Sequence, residues 1–215
     1  MRIRITILVE KGDYLMYPNV HKGVVKLFIA EILIILTAVF GIVTAVAIIA
    51  VVVLIVTLVV SIAAFVLHLL GLQQAGREDV YFRVAFFLVL ATILFTIVAT
   101  VLRTIFPALV LLYTILEAVC DVLQVAVMVY TVFGINNIAT ELGKEKLANM
   151  GRIIIYLVIG LFFFTIVLRI LGSVFAGFPA LVLVFTVLAI VGAVIELITY
   201  VIYFFFLGRA AKEIK

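Results

Sequence analysis

The chain has 215 residues, of which 69% are hydrophobic and 12% are charged, and its formal net charge at pH 7 is +4. A soluble domain is about 45–50% apolar and about 25% charged, so a water-soluble fold is excluded, because its interior could not hide this much apolar surface. Apolar runs of about 20 residues, the length that a helix needs to cross a bilayer, follow one another. The composition therefore predicts an all-α integral membrane protein that crosses the lipid bilayer several times.

Residues 1–23 form a separate segment, which we expect to lie at the cytoplasmic surface of the membrane. RIRITILV alternates polar and apolar residues with the period of a strand, and turn residues follow at Gly12-Asp13 and Pro18-Asn19. The apolar stretch within this segment is too short for a signal peptide. We interpret it as an ordered tail at the interface; a strand that pairs with a partner subunit is the alternative.

Residues 24–215 are predicted to form one domain of six transmembrane helices. The apolar run 24–70 is too long to cross a bilayer once at about 1.5 Å per residue, and we expect it to turn at Phe40-Gly41. Pro107 and Pro179 suit the first turn of a helix, where no backbone donor is needed. The expected helices span about 24–40, 42–70, 83–105, 107–133, 152–171 and 179–207.

An internal repeat relates these helices to one another. FPALVLLYTIL at 106–116 matches FPALVLVFTVL at 178–188, and the polar stretches GLQQAGRE, GINNIATE and GRAAKE follow successive helix pairs. Self-similarity of this kind indicates repeated structural units. We predict three parallel-oriented helical hairpin repeats, at 24–70, 83–133 and 152–207.

The basic residues predict the orientation of the chain in the membrane. Most Lys and Arg residues fall in the N-terminal segment, in the two long links and at the C-terminus, and six helices place all of these on one side. By the positive-inside rule, both termini are expected in the cytoplasm, with the protein in the cell membrane. The net positive charge therefore reports orientation, and no nucleic-acid partner is predicted.

Four polar residues inside the predicted spans are the candidate site. Glu117 lies about 15 Å past the start of its helix, near the midplane, and Asp121 is one turn further along the same face. Gln124 extends that face, and Glu196 is its counterpart in the last repeat. These residues form either a polar track for protons, a cation or a small polar solute, or a hydrogen-bonded clamp between helices.

Two arginines are possible counter-charges for these acids. Arg103 and Arg169 each lie shortly before a Phe-Pro turn. At that position an arginine can pair with an intramembrane carboxylate, or it can extend to the headgroups of the outer leaflet, which we expect to be the commoner case.

Catalytic motifs are absent from the sequence. There is no glycine-rich phosphate loop, no HExxH pair and no GxSxG elbow, so we predict neither enzyme activity nor a cofactor. His21 and His68 have no cluster of Cys or carboxylate residues beside them, and no metal site is predicted.

The FPALVL repeats and the links GLQQAG and GINNIA, in an Ile/Val/Leu-rich chain without Trp, resemble uncharacterised multi-pass membrane proteins of hyperthermophilic archaea. This resemblance implies no particular activity. The short turns and the absence of broken helices favour a structural, accessory or complex-forming role beside other membrane subunits or in a homo-oligomer. The alternative is a small transporter or a proton- or ion-conducting bundle that uses the intramembrane carboxylates.

Overall fold

Six long helices make up nearly all of the described chain in a computed structural model that covers residues 16–44, 50–106, 108, 110–175 and 178–214. All six are long and apolar enough to cross a membrane, and these residues contain no strand. The predicted all-α membrane fold is therefore confirmed, while the strand-like residues 2–7 lie outside the described residues. The helices are α1 (Pro18–Thr44), α2 (Ala50–Ala75), α3 (Val80–Ile105), α4 (Val110–Glu141), α5 (Glu145–Val174) and α6 (Pro179–Glu213).

The helices are longer than the apolar runs that predict them. The polar stretches GLQQA, GINNIATE and GRAAKE are all helical, and they lengthen α2, α4 and α6 by about one to two turns. Gln, Glu, Lys and Ala are good helix formers, so a helix leaving the apolar region continues through them. Hydropathy marks where a helix leaves the lipid, but it does not mark where the helix ends.

The first two helices also differ from the prediction in where the chain turns. α1 begins at Pro18, six residues before the expected start, and residues 18–23 therefore belong to the bundle. Phe40 and Gly41 are helical, because a single glycine in a run of good apolar residues does not end a helix. α1 continues to Thr44 and α2 begins at Ala50, and residues 45–49 lie outside the described residues.

Local sequence signals set the helix boundaries that follow the polar stretches. The carboxylate of Asp79 caps α3 by accepting hydrogen bonds from the backbone N–H groups of Tyr81 and Phe82. Gly143 ends α4 in the left-handed conformation, with φ at 67°. The Lys144 N–H then bonds to the Ala139 carbonyl oxygen at 2.7 Å, as in a Schellman motif.

The helices close into a ring. Each helix packs on its neighbour in the chain, and α1 also packs on α6. The most extensive contacts join α1 to α2, α3 to α4 and α5 to α6, which are the helices predicted to form hairpins. The repeat relationship between these pairs stays a prediction.

The packed core lies at one end of the ring. We call this the proximal end; it holds the starts of α1, α3 and α5 and the ends of α2, α4 and α6. The opposite, distal end is far less packed: none of the most apolar 18-residue stretch of α6 is buried. The largest fully buried side chains at the proximal end include Leu27, Leu72, Phe82, Ile135, Leu147, Phe206 and Leu207.

Candidate functional site

A cleft of about 260 Å³ between α3 and α4 brings three of the predicted charged residues together. Arg103 Nη1 lies 3.6 Å from Glu117 Oε1, and Asp121 lines the same cleft one helical turn from Glu117. The side chains of Arg103 and Glu117 are 69% and 54% exposed, so the described residues leave the cleft open. We refer to it as the Arg103 cleft.

Threonines on α3 line the wall that faces these acids. Thr96, Thr100 and Thr104 recur every four residues and so share one face of the helix. The hydroxyls of Thr100 and Thr104 donate to carbonyl oxygens one turn earlier, at 2.8 and 2.9 Å, which leaves their lone pairs free to accept. The hydroxyl of Thr96 contacts Cys120 Sγ at 3.6 Å and closes the inner end of the cleft.

This geometry suits a small polar or ionic species. The cleft offers a guanidinium, two carboxylates and several hydroxyls, so it can hold positive and negative groups side by side. The Arg103 guanidinium lies beside Glu117, although we expected it to extend to the headgroups. The side chain of Arg169, the other predicted counter-charge, lies outside what the structure describes.

The remaining two site residues lie elsewhere. Gln124 lines a neighbouring cleft that shares only Thr96 with the Arg103 cleft. Glu196 lies on α6, which packs on α5 and α1, and it does not line the Arg103 cleft. The structure therefore joins Glu117 and Asp121 to Arg103, and it does not place Glu196 opposite them.

A buried acid that the sequence analysis did not select joins the first and last helices. Glu31 in α1 is only 5% exposed, and the Tyr200 hydroxyl of α6 donates to its Oε2 at 2.6 Å. The neighbouring Thr199 is also buried. Glu31 and Tyr200 are 169 residues apart, so only the closure of the ring brings them together.

At the proximal end, residues at or just beyond the ends of α2, α4 and α6 form hydrogen bonds with residues at the start of α1. The Glu78 carboxylate accepts hydrogen bonds from the backbone N–H groups of Asn19 and Val20, which caps α1 with a negative charge. The Tyr17 hydroxyl donates to Glu141 at the end of α4. The Nδ1–H of His21 donates at 2.6 Å to the Ile214 carbonyl oxygen, beyond the end of α6.

Carboxylates in this proximal network perturb their neighbours. The hydrogen bond to Glu141, together with burial and nearby acids, raises the pKa of Tyr17 to about 12, so this hydroxyl stays a donor well above neutral pH. Burial raises the pKa of Asp79 above its ordinary value of 3.8, against the opposing effect of its hydrogen bonds to the Tyr81 and Phe82 amides. The acid that caps α3 is therefore harder to ionise than an exposed aspartate.

Asp79→Asn is expected to remove one source of pH-dependent stability. Because folding raises the pKa of Asp79, its contribution to stability is complete below about pH 3.8 and is lost as the pH rises through the raised value. Asparagine caps a helix as well as aspartate does and does not titrate. The melting temperature of the variant should exceed that of the parent at pH 7, and the difference should shrink toward pH 4. A difference that grew on acidification would contradict this assignment.

Comparison with known protein families, with curated proteins and with solved structures finds no match to this chain. The resemblance to archaeal membrane proteins therefore stays a prediction, and the function has to be inferred from the site itself.

Proposed function

We propose that the protein is a non-catalytic accessory subunit of a membrane complex, and that α6 is the helix that contacts its partner. The observation that carries this proposal is Glu196, an acid in the middle of an apolar helix that is left exposed by the described residues. A polytopic membrane protein with such a helix is expected to bury it against a helix of another subunit or of a second copy.

The first turn of α6 is exposed in every direction. Leu181, Val182, Leu183 and Val184 are 37%, 41%, 68% and 50% exposed. Four consecutive residues of a helix point about 100° apart, so no side of this turn is covered by the described residues. Around Glu196 the exposure is partial, since Leu197 is 63% exposed whereas Thr199, one turn further on, is buried.

Glu196 is costly in that setting. A carboxyl group facing hydrocarbon costs at least about 2.5–3.5 kcal/mol on insertion scales. Glu196 is exposed and has no hydrogen-bond or ion-pair partner among the described residues. A transmembrane helix of a partner that brings a donor to Glu196 would offset this cost, as polar pairs do between helices in lipid.

A photoreactive residue at position 197 tests the proposed contact. Crosslinking in native membranes should give a discrete protein adduct, either with another subunit or with a second copy. The matched control is position 163 on α5, where Phe163 is 62% exposed, and there we expect lipid adducts alone. Adding Glu196→Leu should weaken the adduct at 197 by about tenfold, the effect of about 1–2 kcal/mol. Lipid adducts alone at both positions would refute the proposal.

A second candidate function, transport of a small ion or polar solute, is favoured by the Arg103 cleft. Opposite charges and hydroxyls line the cleft at the depth of the spans, and intramembrane acids commonly mark such pathways. The packed proximal core would have to open for a solute to pass. This candidate is therefore the weaker of the two.

Glu117→Gln distinguishes the two functions. If the Arg103 cleft conducts, uptake or proton flux into liposomes should fall to the level of empty vesicles, because the amide removes the negative charge that pairs with Arg103. Glu196→Gln is the control, since Glu196 lies outside the cleft and its change should leave the flux intact. Equal flux through the parent and Glu117→Gln would exclude this role for the cleft.

We also propose that the proximal end faces the cytoplasm of the cell. In support, nearly all Lys and Arg residues of the described helices and links lie there, including Arg83, Lys146 and Arg209. Arg103 is near the opposite end. Under this orientation, the Arg103 cleft opens toward the outer leaflet.

A further inference from the structure

Two apolar clefts meet at His68 on α2. One, of about 380 Å³, lies between α1 and α2 and includes Thr37 and Ser61. The other, of about 360 Å³, lies between α2 and the α3–α4 pair and includes Gln124. Both are lined by Phe65 and His68, so the two clefts adjoin at these side chains, and we call them together the His68 groove.

The His68 groove has an unsatisfied polar group at its centre. The His68 ring has no hydrogen-bond partner among the described residues, although it lies within a membrane-spanning stretch of α2. Lipid tails cannot supply a partner, and a polar group left without one in hydrocarbon costs about 1–3 kcal/mol. A ligand with a hydrogen-bonding group would remove that cost.

The lining restricts the chemistry of such a ligand. None of the described residues that line the groove is Asp, Glu, Lys or Arg, so a charged head would lie unpaired in hydrocarbon. A neutral imidazole and the amide of Gln124 each offer an N–H donor beside an acceptor, and a neutral carbonyl oxygen can accept from either N–H. The Phe65 ring offers an apolar face on which a planar ring can stack.

We propose that the His68 groove binds a lipid-soluble molecule with a neutral, carbonyl-bearing ring, the chemistry of a quinone. His68 and Gln124 donate to the ring carbonyls, and the tail follows the apolar floor between α1 and α2. Ligand pockets are commonly apolar with a few placed polar groups of this kind. This site is separate from the α6 surface of the proposed function and does not depend on it.

The ligand has a route from the bilayer. A link of only four residues, 76–79, joins α2 to α3 at the proximal end. Even so, among neighbouring helices of the ring these two make the least extensive contact. The two helices therefore diverge from the proximal end, and the gap between them leads to the groove. A lipid-soluble molecule can enter sideways without passing through water.

The chain contains no Trp, which allows a direct binding measurement. Phe65→Trp places one fluorophore at the edge of the groove, since Phe65 is 44% exposed. In liposomes, a short-tailed benzoquinone should quench this fluorophore with saturation. Phe163→Trp on the lipid-facing side of α5 is the matched reporter, and its quenching should rise linearly as quinone partitions into the lipid.

His68→Leu in the Phe65→Trp background should raise the apparent Kd of the quinone about tenfold, the expected effect of losing one well-placed hydrogen bond. His68→Gln, which retains an N–H donor, should recover part of the affinity. The same quinone should raise the melting temperature of the unmodified protein and should not do so for His68→Leu. Linear quenching at both reporters would overturn the proposal. So would saturable quenching and thermal stabilisation that are the same with and without His68→Leu.

Discussion

Replacing Gly23 by alanine is expected to destabilise the protein by about 2 kcal/mol or more, although alanine is the better helix former. A Cβ at this position would lie 2.6 Å from the Gly71 carbonyl oxygen and 2.8 Å from the Ala75 backbone N. Backbone atoms of α2 cannot rotate away as a flexible side chain can. The two helices would have to move apart throughout the proximal core.

The magnitude follows from two opposing effects. Overpacking a well-packed core costs about 1–3 kcal/mol and occasionally more, and contact with backbone atoms belongs to the upper part of that range. Alanine in place of glycine within a helix gains about 1 kcal/mol. Overpacking therefore outweighs the gain in helix propensity.

Gly41→Ala is the matched control within the same helix. An added Cβ at Gly41 meets nothing within 4 Å, so only the gain in propensity remains. In detergent, the melting temperature of Gly23→Ala should fall, while that of Gly41→Ala should stay level or rise. A parallel change in both variants would show that the close contact between α1 and α2 does not limit stability.

The sequence is informative about the helices and much less so about their ends. Hydropathy predicts all six spans, because runs of about 20 consecutive apolar residues are typical of transmembrane helices and rare elsewhere. It places the start of α5 seven residues too late, since Glu145 and its neighbours are helix formers that hydropathy does not register. The polar segments are thus part of the bundle and supply the proximal network.

The sequence likewise predicts some relations within the candidate site and not others. Glu117 and Asp121 share a face because they are four residues apart, and that relation can be read directly from the sequence. The contact between Arg103 and Glu117 depends on the register of α3 against α4, which the sequence does not reveal. The position of Glu196 depends on which helices α6 touches, and hydropathy carries no information about that.

Close helix approach and ring closure are still harder to predict. Glycine recurs in every apolar helix of this chain except α3, so nothing distinguishes Gly23 from Gly41 until α2 is placed beside α1. Glu31 likewise stands alone in α1, and its partner lies in the last helix. Both features arise from contacts between helices, whereas the spans arise from contacts with lipid.

Tyr200→Phe is expected to destabilise the protein by about 2 kcal/mol, because it leaves the buried carboxyl group of Glu31 without a hydrogen-bond donor. The variant retains the ring and loses the hydroxyl that donates to Glu31 at 2.6 Å. Because Glu31 is only 5% exposed, water cannot readily replace that donor. A buried acceptor left unpaired costs about 1–3 kcal/mol, or more if it is charged. Tyr156→Phe is the control, since Tyr156 is 76% exposed and its change should leave the melting temperature unaltered.

The double variant Tyr200→Phe with Glu31→Leu tests whether the stability lost in Tyr200→Phe comes from the unpaired Glu31 carboxyl group or from the loss of the hydrogen bond itself. Removing both partners of a buried hydrogen bond can be nearly neutral, because no polar group is left unsatisfied. The double variant should therefore melt at a higher temperature than Tyr200→Phe alone, even though it carries an additional substitution. If the two losses simply added, the contact between Glu31 and Tyr200 would not stabilise the packing of α1 on α6, and the ring would have to be held closed by the apolar core and the other contacts of the proximal end.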